Sequence, residues 1–271
     1  MEDTEKTNRQ ELRIKADISI SKAKEIILKS IPNDEIQAIY IKGSYVQGEM
    51  QPDSDVDIVV ILKNDKYLPA LYELTQKYGK IVNPPFQIVA YTMEELQTGR
   101  WSPIRTKNAT TISAFVKHFD QFPLIYGSKP NGQLFTRTDI KDLTALISAF
   151  EKNFLPDFEK GTFKFNEIVK SVLWLAEREQ RALGLKPDYS WQKLSDSIKD
   201  ENHIMHLALK LRRQKEISND EQDEFMKKLE NYLSLLKENY KNFIKSCCCA
   251  IAYFVFTLSN QNLYHSLSFS L

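Results

Sequence analysis

Two short features of the sequence combine into a reactive arrangement. One is the Gly43-Ser44 pair that closes an apolar run; the other is Asp55-Val56-Asp57, which opens the next one. On an extended strand successive side chains point to opposite faces, so Asp55 and Asp57 share a face while Val56 and Ile58 take the other. Two carboxylates on one face repel each other, and a divalent cation relieves that repulsion; hard oxygen ligands of this kind suit Mg²⁺. Gly43 lets the backbone pass close to a ligand, and the amide and hydroxyl of Ser44 are placed to hold phosphate oxygens just beyond the strand end. A metal beside a phosphate cradle asks for a nucleoside triphosphate, with pyrophosphate as the leaving group. Asp53 and Ser54, between the two features, read as a turn.

The elements that must carry these residues follow from apolar periodicity. Residues 36–41, 56–62 and 86–91 are short runs rich in Ile and Val, the pattern of strands. Residues 20–31 have helical spacing and stop at Pro32, and 67–78 have it again and stop at Gly79. The expected order is helix, strand, strand, helix, strand, with the Gly-Ser turn between the first two strands. A further helical segment contains Phe115 to Phe119. Beyond the breakers Gly127, Pro130 and Gly132 the strand signal fades, and helical period runs through 143–158, 165–183, 203–213 and 220–240. The expectation is therefore an α+β chain of two domains, a small mixed-sheet domain over 1–130 and a helical bundle over 131–271.

Size and composition agree with that division. A chain of 271 residues with 42% hydrophobic and 11% aromatic residues has the profile of a globular protein of one large or two ordinary domains. Lys plus Arg number 37 against 36 acids, so no global field draws the chain to nucleic acid or an anionic membrane, and a nucleic-acid partner is not expected. The one dense basic run, 210–215, is explained by a solvated helix face as well as by RNA binding. Residues 1–10 have no apolar stretch of the kind a secretory signal needs, which favours the cytoplasm. The three cysteines, Cys247, Cys248 and Cys249, are adjacent and form neither a disulfide framework nor zinc-ligand spacing. From Ser246 onward there is no Asp, Glu, Lys or Arg. The apolar part of that tail is too short to span a bilayer core of roughly 30 Å, so it reads as a buried terminal helix, with a lipidated or membrane-resting segment as the alternative.

Gly-Ser, a spacer, and then Asp-x-Asp opening an apolar strand resembles the polymerase-beta-like nucleotidyltransferase superfamily. Within it the chain is most similar to the aminoglycoside adenylyltransferases of the streptomycin and spectinomycin type. The run from strand 86–91 into Thr92-Met93-Glu94-Glu95-Leu96, the segment Phe122-Pro123-Leu124-Ile125-Tyr126-Gly127, and residues 172–183 followed by Trp191 carry that closer likeness. The resemblance implies that Asp55 and Asp57 hold Mg²⁺, that Gly43 and Ser44 position the triphosphate of ATP, and that AMP passes to a hydroxyl of a small acceptor such as an aminoglycoside. It also implies a third carboxylate on the third strand, where this sequence has Gln87. An amide takes no proton from an acceptor hydroxyl, so Glu94 or Glu95 would have to serve, unless both are ordinary first-turn helix acids. Two other readings stay open: an acceptor that is protein or RNA, and a nucleotide-binding module without transfer. Arg105 and Lys107 are candidate phosphate ligands, Lys42 a weaker one, and Trp101 a candidate stacking ring. Glu177, Glu179, Asp188 and Trp191 are candidates for a cationic acceptor. His203 and His206 share a helix face but lack a third ligand, so zinc is not expected. The sequence names neither the acceptor nor the oligomeric state, monomer or dimer.

Overall fold

The computed structural model describes residues 2–105 and 111–241, with side chains from residue 10 onward. Lys107, Cys247, Cys248, Cys249 and the uncharged tail lie outside the described residues. Backbone contacts divide the chain into two compact units. One runs to Arg137 and also takes in Asp188–Leu194; the other comprises Thr138–Pro187 and the chain from Ser195 onward. The sequence reading divides the chain once, after residue 130, and leaves 188–194 in the helical half. The contacts divide it after Arg137 and return Asp188–Leu194 to the first unit.

The first unit is built on strands β1 (Ile36–Lys42), β2 (Val56–Leu62), β3 (Phe86–Thr92) and β4 (Leu124–Gly127). Their order is β3-β2-β1-β4. β1 pairs antiparallel with β2 and β4, whereas β2 and β3 are parallel, giving the expected mixed sheet. Helix α1 (Glu2–Ser30) precedes the sheet, the short α2 (Ser44–Gln47) follows β1, and α3 (Leu68–Tyr78) provides the crossover between the parallel strands. After β3 come α4 (Met93–Thr98) and α5 (Ile112–Lys117).

Alternation along the strands sorts side chains onto two faces. Ile39 and Ile41, Ile58 and Val60, Ile88 and Ala90 join Ala23 and Ile27 of α1 and Leu68 and Leu71 of α3 in one buried apolar cluster. The other face carries Tyr40, Val59 and Tyr91. There Phe115 stacks on Tyr91 with ring centroids 4.4 Å apart, and Phe119 packs on Tyr40 at 4.7 Å. Covered on both faces, the central strands read in sequence as near-continuous apolar runs.

The second unit contains α6 (Asp139–Ala149), a π-helical turn over Phe150–Phe154, α7 (Leu155–Glu159), α8 (Phe165–Ala182), α10 (Ile204–Arg213) and α11 (Asn219–Asn239). Helix α9 (Trp191–Ser197) begins in the returning segment. Among the described residues no helix is long and apolar enough to cross a membrane.

Tyr40 is 3% exposed, and its hydroxyl has no hydrogen-bond partner among the described residues. Burial, with Asp120 adding to it, pushes its pKa up to about 12. An unfolded tyrosine titrates near about 10. Above that pH the folded state keeps a proton that the unfolded chain has lost, so stability is intact below about pH 10 and falls as pH rises toward 12. A buried unpaired hydroxyl is itself costly. Tyr40→Phe should raise the unfolding free energy by about 1 kcal/mol at pH 7, and should flatten the alkaline loss; urea titrations at pH 7 and pH 11 measure both.

Candidate active site

The ends of β1 and β2 place the chemistry. Lys42, the last residue of β1, pairs with Asp57 in the antiparallel register, and Asp57 pairs with Gln87 in the parallel one. Residues paired across strands project to the same face, so Lys42, Asp57 and Gln87 form a row across three strands on the face away from α1 and α3. Asp57 is half-buried; Asp55, which immediately precedes β2, is exposed.

Gly43 follows Lys42 with φ 75° and ψ −156°, a combination essentially reserved for glycine. A methyl group built there would overlap Oδ2 of Asp57 and come 3.2 Å from its Cγ. The backbone thus lies directly against the Asp57 carboxylate, a close approach that only glycine allows. The amides of Val46 and Gln47 both donate to the Gly43 carbonyl, at 3.0 and 3.1 Å, which closes the turn into α2. Ser44 is half-exposed, and no protein group among the described residues is paired with its hydroxyl. Between α2 and β2, Ser54 Oγ accepts from the Gln51 amide at 2.8 Å while the Ser54 amide donates to the Gln51 carbonyl at 2.9 Å. This is the turn expected of Asp53 and Ser54.

The available donor set is thus two carboxylates two residues apart, with a glycine backbone against one of them. Among the described residues no three His, Cys, Asp or Glu side chains gather to hold a metal by themselves. Two carboxylates suit a hard cation that keeps waters and takes its remaining ligands from phosphate oxygens, the habit of Mg²⁺.

Arg105 requires a correction. The sequence offers it as a phosphate ligand, but its side chain is only 4% exposed and is committed inside the first unit. Its Nε and Nη2 donate to Oε1 and Oε2 of Glu95 at 2.9 and 2.5 Å; Nη1 donates to Tyr72 Oη at 2.6 Å and Nη2 also to the Ala90 carbonyl at 2.8 Å. The guanidinium lies 4.6 Å from the Trp101 ring centroid, so the tryptophan covers an internal ion pair and is not held open for a base.

Glu95 is equally committed. Thr92 and Glu95 form a reciprocal cap at the start of α4, and Glu95 Oε1 accepts the Ser102 amide as well. Glu95 is therefore the first-turn helix acid, not a substitute for the missing carboxylate at Gln87.

The candidates in the second unit are engaged with their neighbours. Glu177 pairs with Arg181, and Glu179 accepts from Tyr232 Oη at 2.5 Å and from His203 Nε2 at 2.9 Å. Burial, with Glu179 adding to it, raises the Tyr232 pKa well above that of an ordinary tyrosine. His206 bonds Ser195 Oγ and the Asp200 carbonyl. In the returning segment Trp191 is buried, and the Ser190 amide, followed by Lys193, holds the Asp188 carboxyl below its ordinary pKa.

Sequence reasoning offered Asp188 and Trp191 of that segment as acceptor candidates and missed its contacts with the turn. Tyr189 Oη accepts the Gly43 amide at 3.1 Å, and the Tyr189 carbonyl accepts Gln47 Nε2 at 2.9 Å. Glu49 Oε1 accepts both Ser190 Oγ and the Gln192 amide, at 2.8 and 3.0 Å. The signals were a tyrosine and a serine in a polar stretch, which by themselves point nowhere.

Residues 21–102, which hold the turn, both aspartates and Gln87, match the family model described as polymerase beta, nucleotidyltransferase. Residues 21–102 of the sheet-bearing part are thus similar to that nucleotidyltransferase family. Over most of its length the chain is similar in fold to the crystal structure of spectinomycin adenyltransferase AAD(9) from Enterococcus faecialis with ATP and spectinomycin. The TM-score is 0.51 at 17% identity, over 81% of this chain and 99% of that one. No curated protein matches the sequence. The fold is therefore that of a nucleotidyltransferase domain followed by a helical part, as the α+β expectation has it.

Within the first unit the buried Arg105–Glu95 pair is structural. Removing one partner of a buried pair leaves an uncompensated charge, so Arg105→Ala should lower the unfolding free energy by about 3–5 kcal/mol. Urea titration measures this loss; a variant that keeps wild-type stability would return Arg105 to the list of ligand-binding candidates.

Proposed function

We propose that the protein transfers a nucleoside monophosphate, AMP from ATP, to a hydroxyl of a small acceptor of the aminoglycoside class, releasing pyrophosphate. The observation that carries the reading is the Gly43 backbone lying against Asp57, with Asp55 just upstream at the head of the same strand. In this reading Asp55 and Asp57 would hold Mg²⁺, which would supply positive charge to offset that developing on the leaving pyrophosphate. Ser44 contributes its hydroxyl and amide to phosphate oxygens, and Gly43 leaves room for them beside the carboxylate. The acceptor oxygen attacks the α-phosphorus opposite the departing pyrophosphate. Support for ATP and for a small acceptor comes from the fold neighbour, which was solved with ATP and spectinomycin. An acceptor of that class would make the protein an antibiotic-resistance enzyme.

The pairing of Gln87 with Asp57 favours one competing reading, a nucleotide-binding module with little transfer. Gln87 sits beside Asp57, where a carboxylate could take the acceptor proton, and an amide cannot.

The deciding experiment is transfer of labelled nucleotide by purified protein, with Mg²⁺, each of the four triphosphates and a panel of aminoglycosides including spectinomycin. Labelled acceptor should form with ATP, and the Asp55→Ala, Asp57→Ala double variant should lose at least about a hundredfold of that rate, given the several kcal/mol a metal contributes to such a step. Gln87→Glu should raise the rate if a base is what the site lacks. Metal-dependent ATP binding by the wild type with no transfer to any acceptor, and turnover created by Gln87→Glu, would favour the binding module.

A further inference from the structure

The turn proposed to hold the triphosphate is braced by a residue far away in sequence. Gly43 gains its unusual conformation from having no side chain, and for the same reason nothing intrinsic to it selects that conformation over others. What fixes its amide is the hydroxyl of Tyr189, 3.1 Å away and 146 positions later in the chain. The same residue's carbonyl takes Gln47 Nε2, so Tyr189 grips the first and last residues of the turn together. Its ring cannot easily withdraw. Tyr189 is 6% exposed, packed at 5.0 Å from His118 and edge-on at 5.3 Å to Phe122, which itself stacks on Phe115. Ser190 and Gln192 extend the grip to Glu49, the second residue beyond α2.

We infer that Tyr189 is a positioning residue for nucleotide binding: its hydroxyl holds the Gly43 amide in the orientation that keeps the backbone against Asp57 and aims the Ser44 donors at the phosphates. The inference rests on the nucleotide reading of the Gly43-Ser44 turn. It also divides the work within that turn. With its amide donated to Tyr189, Gly43 supplies shape and clearance, and Ser44 supplies the bonds to phosphate.

Tyr189→Phe tests this, because it keeps the packed ring and deletes only the hydroxyl. Three readouts on the full chain are needed: hydrogen exchange at the Gly43 amide, affinity for each triphosphate with Mg²⁺ by titration calorimetry, and the thermal midpoint. Losing one hydrogen bond that preorganises the site should weaken ATP binding about fivefold. Exchange at Gly43 should speed up, the midpoint should stay within a few degrees, and in turnover the KM for nucleotide should rise while kcat holds. A merely structural tyrosine would instead lower the midpoint and leave the affinity of the folded protein intact. Unchanged affinity, or unchanged exchange at Gly43, in a variant whose wild type binds nucleotide would overturn the inference and spare the nucleotide reading. Tighter binding would overturn it as well, since the hydroxyl would then compete with phosphate for the amide. If the wild type binds no triphosphate, the nucleotide reading and this inference fall together.

Discussion

The structure turns on one close approach, the backbone of Gly43 against the carboxylate of Asp57. It exists because β1 and β2 run antiparallel in a register that brings Lys42 opposite Asp57, so the chain leaving β1 must cross the head of β2. Register is enforced by burial. A slip of one residue would turn Ile58 and Val60 out of the α1/α3 cluster and Asp57 into it, and a charged group forced into apolar surroundings is strongly disfavoured. The apolar side of the sheet therefore holds the polar site in place on its other side, and Tyr45 and Val46 of the turn itself pack against the same cluster. The glycine is the complement of that rigidity, because any side chain at position 43 would collide with the group the register has fixed.

Legibility in the sequence followed burial. β2 could be read directly, since Ile58, Val59, Val60 and Ile61 are all 0% exposed and make an unbroken apolar run. β4 could not be read as a strand: its four residues are exposed or half-exposed, so neither alternation nor a continuous run appears. The helix before β1 was legible only from about residue 20, where its apolar residues meet the sheet. Upstream, Ile14 and Ile18 are 54% and 61% exposed, and the periodic signal that marks a helix against a core is absent. The turn and the two aspartates were legible for a different reason. Their chemistry depends on local spacing along the chain, and local spacing is what a sequence displays.

What the sequence could not display was pairing at a distance. Arg105 looks like a loop cation until Glu95, Tyr72 and the Ala90 carbonyl are seen around it. Three residues from three separate stretches of chain then account for its donors. Tyr189 is the opposite error, an unremarked residue that proves central because two turns of chain meet. In both cases the deciding partner lies where no periodicity points, and only the folded contacts show which polar side chains are spent on structure and which remain at the surface of the site.

The row Lys42, Asp57, Gln87 also sets the electrostatics that any cation must meet. A carboxylate in place of Gln87 would put two negative charges side by side across β2 and β3, next to Asp55, and would raise the site's demand for positive charge. With an amide there, Asp57 stands between a cation on one side and a neutral group on the other. The repulsion that a divalent ion would relieve is then mainly that between Asp57 on β2 and Asp55 just before it. Lys42 already offsets part of it from the neighbouring strand end. A metal entering such a site gains less from the protein than one entering a three-carboxylate site, and must draw more of its attraction from the phosphates it arrives with. On the proposed nucleotide reading, an amide at Gln87 would therefore tie metal and nucleotide more closely together, and the metal–triphosphate complex, not the free ion, would be the species such a site takes up.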